Sequence, residues 1–158
     1  MSPHNFVKFA REKLQLDMED VAERCGLSWY EFRDIESHED EFFTSLPVGI
    51  SKCICEALQL DFRQLLKKRY PTKGRETVSF SQVEQTALIV KRRFELGLSE
   101  KELEDAVGLK DGVVGKLESG DISLESWPLD QINLLAKALA LPLIALVCSE
   151  SSSKAGLK

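Results

Sequence analysis

The residues best suited to chemistry form a basic cluster near the middle of the chain. In residues 67–82, KKRYPTKGRETVSFSQ, lysine and arginine side chains can neutralise the phosphates of a nucleic acid. The same stretch can equally be a solvated linker, since Pro71 and Gly74 interrupt any helical pattern. The sequence leaves both interpretations open. The cations concerned are Lys67, Lys68, Arg69, Lys73 and Arg75.

The cysteines and histidines are not spaced as metal ligands. Cys53 and Cys55 lie two apart on a predicted helix, so their side chains point about 200° apart and cannot share a metal ion or a disulfide. His4 and His38 lie at no metal-site spacing from a cysteine. The chain also has no nucleophile–base pair and no glycine-rich phosphate loop. We therefore expect no enzyme activity, no metal and no cofactor.

An internal repeat predicts the elements that position these side chains. Residues 14–36, LQLDMEDVAERCGLSWYEFRDIE, match residues 96–118, LGLSEKELEDAVGLKDGVVGKLE, at a constant offset of 82 residues. Apolar residues align with apolar residues and glycine with glycine, without a gap, which indicates a repeated structural unit. The equivalent pairs are Leu14 and Leu96, Leu16 and Leu98, Val21 and Leu103, Cys25 and Val107, Gly26 and Gly108, Leu27 and Leu109, Phe32 and Val114, Ile35 and Leu117, and Glu36 and Glu118.

Each copy of the repeat predicts two short helices joined by a tight turn. Asp17 or Ser99 lies at the expected N-cap of the first helix, with an acidic residue three positions later. Gly26 and Gly108 lie in the turn, where glycine adopts a left-handed backbone without steric cost. Ser28 is a suitable cap for the second helix of the first copy. This pattern is typical of a helix-turn-helix unit, whose second helix can enter the major groove of DNA.

The resemblance extends beyond the two central helices. Each copy resembles the phage-repressor type of helix-turn-helix domain, the Cro/CI-like or XRE family, which folds as a compact five-helix bundle. Phe6-Val7 and Leu88-Ile89 resemble the start of the family's first helix, while ICEALQLDFRQLL (54–66) and LAKALALPLIALV (135–147) resemble its fourth and fifth helices. The resemblance implies an all-α fold of two tandem lambda-repressor-like five-helix bundles.

The chain divides into four parts on this interpretation. We expect a first helix-turn-helix domain over residues 1–70, a basic linker over 71–82, a second, more divergent domain over 83–149 and a flexible tail over 150–158. Each domain is near the lower size limit for a self-sufficient hydrophobic core. The two domains are therefore expected to support each other.

One loop carries an ambiguous aromatic pair. In HEDEFFTSLP (38–47), Phe42 and Phe43 have no counterpart in the second copy. They can cover the helical bundle or form a contact patch for a partner. We favour the interpretation that they cover the bundle, because isolated surface aromatics are common.

The resemblance also implies roles for individual residues. Family members commonly pair an arginine of the first helix with the glutamate that closes the recognition helix, which implies the pairs Arg11–Glu36 and Arg93–Glu118. The exposed face of the recognition helix reads base edges in this family. The implied reading positions are Ser28, Trp29, Tyr30 and Arg33 in the first copy, and Lys110, Asp111, Gly112 and Lys116 in the second.

Some positions depart from the family's pattern. Met18 and Glu100 stand where family members usually have a glutamine at the start of the second helix. Glu104 stands where the family has a small alanine. Gly112 and Gly115 weaken the second recognition helix and remove side chains that could reach a groove. The second copy therefore resembles a DNA reader less closely than the first.

The charge balance also bears on DNA binding. The chain has a net charge of −5, to which residues 1–70 contribute −3 and residues 71–158 contribute −2. Because DNA affinity depends largely on neutralising phosphates, this balance lowers the expected affinity without excluding DNA.

Two functions remain open. The first is a repressor-like transcriptional regulator that binds double-stranded DNA. Its two tandem domains would take the place of the two subunits of a repressor dimer. The alternative is a protein-binding module of the same fold, such as an antitoxin or an accessory regulator, with weak or lost DNA binding. The start MSPHNFVKF has no apolar signal-peptide core and no long apolar span follows, so we expect a cytoplasmic protein without membrane association. The oligomeric state stays open.

Overall fold

A computed structural model describes residues 5–71 and 82–147, and these residues form an all-helical structure without a β-strand. The first half contains α1 (Phe6–Lys13), α2 (Met18–Arg24), α3 (Trp29–Ser37), α4 (Glu41–Thr44), α5 (Val48–Ala57) and α6 (Phe62–Arg69). The second half contains α7 (Gln82–Glu95), α8 (Glu100–Val107), α9 (Val113–Ser119), a 3-10 helix (Leu124–Ser126), α10 (Leu129–Ala138) and α11 (Leu143–Val147). The predicted all-α class is confirmed. The predictions for most of the linker, for the tail, for His4 and for Lys73 and Arg75 lie outside the described residues.

The first helix pair, α2 and α3, is joined by a four-residue turn that local chemistry stabilises. Gly26 adopts a left-handed backbone with φ of +72°, as predicted. The Ser28 hydroxyl accepts a hydrogen bond from the Glu31 N–H at 3.2 Å, and the Glu31 carboxylate accepts one from the Ser28 N–H at 2.8 Å. This reciprocal capping box fixes the start of α3. Asp17 lies at the N-cap of α2, but its side chain accepts no capping hydrogen bond.

The second helix pair, α8 and α9, has a different start to its second helix. Ser99 and Glu102 form the predicted capping box of α8. Gly112 has φ of +88° and occupies the N-cap position of α9, where it offers no side chain to the helix. As a result, α9 begins at Val113, whereas the offset of 82 from Trp29 predicts residue 111.

The inner faces of both helix pairs are buried in a common hydrophobic core. Phe32 and Val114 are equivalent in the repeat, and neither is exposed to solvent. Ile35 and Leu117, one turn further along, are also buried. The predicted orientation of α3 and α9 is therefore confirmed, since their apolar sides face inward.

The aromatic segment before α5 is partly helical, not a loop as predicted. Phe42 and Phe43 lie in α4 and both are buried. The Phe6 ring contacts Phe42 edge-on with ring centroids 5.1 Å apart, and Phe43 packs against Tyr70 at 6.1 Å. The interpretation that these aromatics cover the bundle is confirmed, and the alternative of an exposed contact patch is wrong.

The two halves pack on each other through equivalent elements. Helix α5 contacts the 3-10 helix of the second half, and α10, the counterpart of α5, contacts α4 of the first half. Helix α4 precedes α5 in the chain, just as the 3-10 helix precedes α10. Pro47 and Pro128 form an antiparallel bridge, and the Val48 N–H donates to the Trp127 carbonyl at 2.9 Å. These contacts are reciprocal, as in an isologous dimer. The expectation that the halves support each other is confirmed.

One boundary differs from the repeat-based prediction. Helix α7 begins at Gln82, although the repeat and the resemblance predicted a start near Leu88. The first helix of the second half is therefore longer than its counterpart α1. In the ranges that the structure describes, no helix is both long and apolar enough to cross a membrane.

Candidate functional site

The outer face of α3 is the strongest candidate site in the first half. Because Phe32 and Ile35 occupy the inner side, the helical period places Trp29, Tyr30 and Arg33 on the outer side. Tyr30 is 71% exposed and Trp29 is 38% exposed. Arg33 and the capping residue Ser28 are also exposed, so all four predicted reading positions of this copy face solvent.

The exposed side chains of α3 contact one another. The Arg33 guanidinium carbon lies 5.5 Å from the centroid of the Trp29 ring, within the range of a cation–π interaction. The Trp29 and Tyr30 rings meet edge to face at 5.2 Å. Two aromatic rings and one cation are therefore held together at the start of α3, where they can contact the edges or faces of planar groups.

A cleft beside α3 extends this surface towards α1 and α2. It encloses about 420 Å³, and its walls combine cations, carboxylates and the indole ring of Trp29. The lining residues are Lys8, Arg11, Glu12, Met18, Trp29, Arg33, Glu36 and Ser37.

An ion pair fixes α3 against α1 at the base of this cleft. The Arg11 guanidinium donates to both carboxylate oxygens of Glu36, at 2.5 Å and 3.1 Å, and to the Leu16 carbonyl at 2.8 Å. Hydrogen bonding to Glu36 is the main reason that the pKa of Arg11 lies above its usual value. Such a bidentate pair constrains geometry, so it sets the orientation of the outer face of α3.

The second half contains the same ion pair. The Arg93 guanidinium donates to the Glu118 carboxylate at 2.6 Å and 3.0 Å, and to the Leu98 carbonyl at 2.9 Å. Both pairs that the resemblance implied are thus formed. The two helix pairs share one scaffold, and any functional difference between them must come from their outer faces.

The outer face of α9 lacks the side chains that α3 presents. Lys110, Asp111 and Gly112 precede α9 and lie in the turn, so the expectation that Asp111 and Gly112 belong to the recognition helix is wrong. Of the predicted reading positions in this half, Lys116 alone lies within α9, where it is exposed. The Asp111 carboxylate lies 2.8 Å from the ammonium of Lys101, and their hydrogen bond raises the pKa of Lys101.

A buried carboxylate explains how α9 begins without a capping side chain. Glu104 is 2% exposed, and its carboxylate accepts a hydrogen bond from the Val114 N–H at 2.9 Å. In the first half the equivalent Phe32 N–H bonds to the Ser28 carbonyl at 3.1 Å. The sequence contains a signal for this hydrogen bond. Ala22 and Phe32 in the first half correspond to Glu104 and Val114 in the second half, so the residues at both positions differ between the halves.

The predicted phosphate-contacting cations divide into two groups. Lys67 and Lys68 are exposed on the last turn of α6. Arg69 instead lies over the Phe43 ring, with its guanidinium carbon 4.6 Å from the ring centroid. This packing engages the Arg69 guanidinium within the protein, and a phosphate contact by Arg69 stays a prediction.

Carboxylates from both halves hold Arg69 in that position. Its guanidinium lies 3.3 Å from an oxygen of Asp40 and 3.8 Å from an oxygen of Asp130. The neighbouring Tyr70 hydroxyl donates to Asp130, and burial is the largest cause of the raised pKa of Tyr70. The end of α6 thus contributes to the contact between the halves.

Two carboxylates oppose anion binding on the outer face of α3. Glu31 and Asp34 are both exposed. Glu31 is engaged in the capping box, and hydrogen bonding from the Ser28 N–H lowers its pKa. These negative charges favour contacts with base edges over contacts with phosphates along this helix.

The cysteines behave as core residues. Burial is the largest cause that raises the thiol pKa of Cys25 and of Cys55 to about 12. The Cys53 thiol donates to the Arg24 carbonyl at 3.6 Å. Within residues 5–71 and 82–147, no three His, Cys, Asp or Glu side chains are placed to hold a metal ion. Cys148 lies outside the part of the chain that the structure describes.

Comparisons with models of protein families, with curated proteins and with solved structures found no match.

Proposed function

We propose that the chain is a double-stranded DNA-binding transcriptional regulator of the repressor-like type, and that α3 is its reading helix. The observation that carries this proposal is the outer face of α3. It presents Trp29, Tyr30 and Arg33 together while the inner face is buried and the Arg11–Glu36 pair fixes the helix. Arginine is the side chain that most often reads guanine, and aromatic rings pack on thymine methyl groups or sugars.

The domain architecture in this proposal is two tandem lambda-repressor-like bundles of the XRE type. The repeat of helix order supports it, since α1 to α3 and α7 to α9 bury equivalent residues and form equivalent ion pairs. The reciprocal contacts of α5 and α10 support a two-fold relation between the bundles. A single chain would then present two helix pairs as a dimeric repressor does.

The two helix pairs would contribute unequally to DNA recognition. The start of α9 has Gly112 at its N-cap, and the Asp111 carboxylate is paired with Lys101. Lys116 and Lys110 can contact phosphates but lack the rigid planar fork with which arginine recognises a base edge. We therefore assign base reading to α3 and positioning on the phosphate backbone to the second pair and to the exposed Lys67 and Lys68.

Selection from a random pool of DNA duplexes tests this proposal directly. The purified full-length chain is used to enrich bound duplexes, and the affinity of the enriched sequence is then measured over a series of salt concentrations. We expect a preferred sequence and an affinity that falls linearly on a log–log plot against salt. Failure to enrich any sequence, with no salt-sensitive binding to any duplex, would contradict the proposal.

Variants of the two outer faces sharpen this test. Arg33→Ala should weaken binding by about 1–3 kcal/mol and relax the preference at one base pair, because it removes a base contact. Lys116→Ala should weaken binding to all sequences and reduce the salt slope by about one. If both variants had the same uniform effect, α3 would not be the reading helix.

A protein-binding module, such as an antitoxin or an accessory regulator, is the second candidate. The observation that favours it is the face of α8 and α9, where Lys101 is paired with Asp105 and Asp111 at 3.0 Å and 2.8 Å, and glycines replace large side chains. A flat face with internally balanced charges suits a protein surface better than a phosphate backbone. Isolation of the tagged chain from its own cells, followed by identification of bound proteins, tests this. Good DNA binding without a stable protein partner would remove the candidate.

A further inference from the structure

Helix α7 has an apolar stripe on its outer face. Val83, Ala87, Val90 and Phe94 recur at spacings of four, three and four residues, which places them within an arc of about 60° on a helix. Val83 is 80% exposed and Phe94 is 67% exposed, Ala87 is exposed and Val90 is half-buried. Alternating spacings of three and four are the pattern of an apolar seam between two paired helices.

This stripe is not the side by which α7 packs into its own bundle. Gln85, Ile89 and Arg93 lie on the opposite side and are all buried. Arg93 forms the ion pair with Glu118, and the Arg92 guanidinium donates to the Leu139 carbonyl at 3.1 Å. The outer stripe is therefore additional to the residues that the bundle needs.

The first half provides an internal reference for this face. At the offset of 82, the equivalents of Ala87, Val90 and Phe94 are Asn5, Lys8 and Glu12, all polar or charged. A helix face in contact with water normally carries such residues. The same face has thus become apolar in one half, and such a patch typically marks an interaction site.

We propose that α7 pairs with α7 of a second copy of this chain, in antiparallel orientation, through Val83, Ala87, Val90 and Phe94. A two-fold axis between Ala87 and Val90 sets Val83 against Phe94 of the second copy, and Ala87 against Val90 of the second copy. The seam is self-complementary in size, because each of these two contacts joins a smaller side chain to a larger one.

Charge complementarity favours a second copy over other occupants. Glu84 and Lys91 lie on the same flank of the stripe, seven residues apart. In an antiparallel pair, residues of this flank face each other, so Glu84 of each chain lies near Lys91 of the other. Opposite charges meet at both ends of the seam, as a specific homodimer requires.

The seam is short, which sets the expected strength of association. Helix α7 has 14 residues, so it is about 21 Å long. A pair of such helices buries less area than the roughly 1,200–2,000 Å² of a standard interface. We therefore expect a weak dimer that dissociates on dilution in the micromolar range.

Sedimentation equilibrium of the full-length chain tests this proposal, and it requires no DNA. The wild-type chain should shift from monomer to dimer with rising concentration. The double variant V90K/F94E installs the residues that the first half has at these positions, and it should abolish the shift. Phe9→Ser removes an exposed aromatic from α1 and should leave the shift unchanged. Thermal unfolding shows whether each variant is folded, and Val83→Lys replaces the double variant if that variant unfolds.

Charge exchange tests the antiparallel register. Lys91→Glu and Glu84→Lys should each weaken dimerisation by about tenfold, because like charges then meet at both ends. An equimolar mixture of these two variants should restore it, since each chain supplies the charge that the other lacks. A wild-type chain that stays monomeric at every concentration, or a dimer that V90K/F94E leaves intact, would overturn the proposal. If another part of the same chain or a different protein covers the stripe, the wild-type chain will stay monomeric at every concentration.

Discussion

The two helix pairs, α2–α3 and α8–α9, have the same arrangement, but different residues stabilise the start of the second helix in each pair. Both form a bidentate arginine–glutamate pair, and both have a left-handed glycine in the turn after the first helix. They differ in how the second helix begins. In the first half Ser28 and Glu31 cap α3 from its own N-terminus. In the second half Glu104 of the preceding helix supplies the acceptor for α9.

The difference shows that one local change requires another. Because α9 begins later than its counterpart, the Val114 N–H does not bond to the carbonyl four residues earlier, as the Phe32 N–H does, and this buried N–H needs another acceptor. Glu104 provides the acceptor, and Val114 in place of Phe32 leaves room for its longer side chain. The second half keeps a stable helix by this route but lacks the serine cap. It also lacks the exposed aromatic side chains on which the proposed DNA reading by α3 rests.

The largest loss of stability is expected when the buried glutamate of the second half is introduced at the equivalent position of the first half. Ala22→Glu would bury a carboxylate at a position where the Phe32 N–H already has its partner, Ser28. An uncompensated buried charge costs about 3–5 kcal/mol of the free energy of unfolding. Urea denaturation followed by circular dichroism measures this loss.

A matched control separates this effect from the general cost of a new glutamate on a helix. Ala106 is exposed on α8, so Ala106→Glu should change the free energy of unfolding by less than about 0.5 kcal/mol. Equal effects of the two substitutions would mean that position 22 tolerates a carboxylate. The proposed coupling to residue 32 would then be wrong.

Removal of the buried glutamate from the second half should cause the next largest loss of stability. Glu104→Ala removes the acceptor of the Val114 N–H and should lower the free energy of unfolding by about 1.5–3 kcal/mol, the usual range for a hydrogen bond to a charged group. The double variant E104A/V114F restores the residue types of the first half. It should recover part of the loss by filling the space that the carboxylate leaves, and a denaturation cycle of the four proteins measures the coupling. Strictly additive losses would contradict the paired change.

The sequence predicted those features that depend on local pattern. The repeat and its glycines gave both helix pairs, and the spacing of Phe32 and Ile35 gave the buried face of α3. It did not predict features that depend on contacts between distant segments. Arg69 lies in a basic stretch, yet Asp40 and Asp130, remote in sequence, hold it. The late start of α9 also escaped prediction, because it depends on the acceptor that Glu104 supplies.

A smaller effect is expected when the capping of α3 is removed. Ser28→Ala should lower the free energy of unfolding by about 1 kcal/mol, since it removes an N-cap hydrogen bond. Lys110 is the equivalent residue and caps nothing, so Lys110→Ala should change it by less than about 0.5 kcal/mol. Thermal unfolding of both variants measures the contrast.

The capping box also makes a prediction about acid. Hydrogen bonding from Ser28 lowers the pKa of Glu31 below 4.5, so the carboxylate of the folded protein stays charged at a lower pH than that of the unfolded chain. Its contribution to stability is present above pH 4.5 and is lost as the pH falls through the lowered pKa. The difference in stability between wild type and Glu31→Gln, which cannot ionise, should therefore decrease in acid. A difference that is constant with pH would indicate that the Glu31 carboxylate does not take part.

The smallest effect concerns a core position that is titratable in one half only. Cys25 corresponds to Val107, and Cys25→Val should change the free energy of unfolding at neutral pH by less than about 1.5 kcal/mol, because the two side chains are similar in size. Burial raises the thiol pKa of Cys25 from 9.0 to about 12, so the unfolded chain releases this proton first. The thiol therefore contributes stability below pH 9.0 that is lost as the pH rises towards 12. Since the valine variant has no such proton, its stability relative to wild type should increase above pH 9.0. Parallel stability–pH profiles of the two proteins would show that the Cys25 thiol ionises equally in the folded and unfolded states.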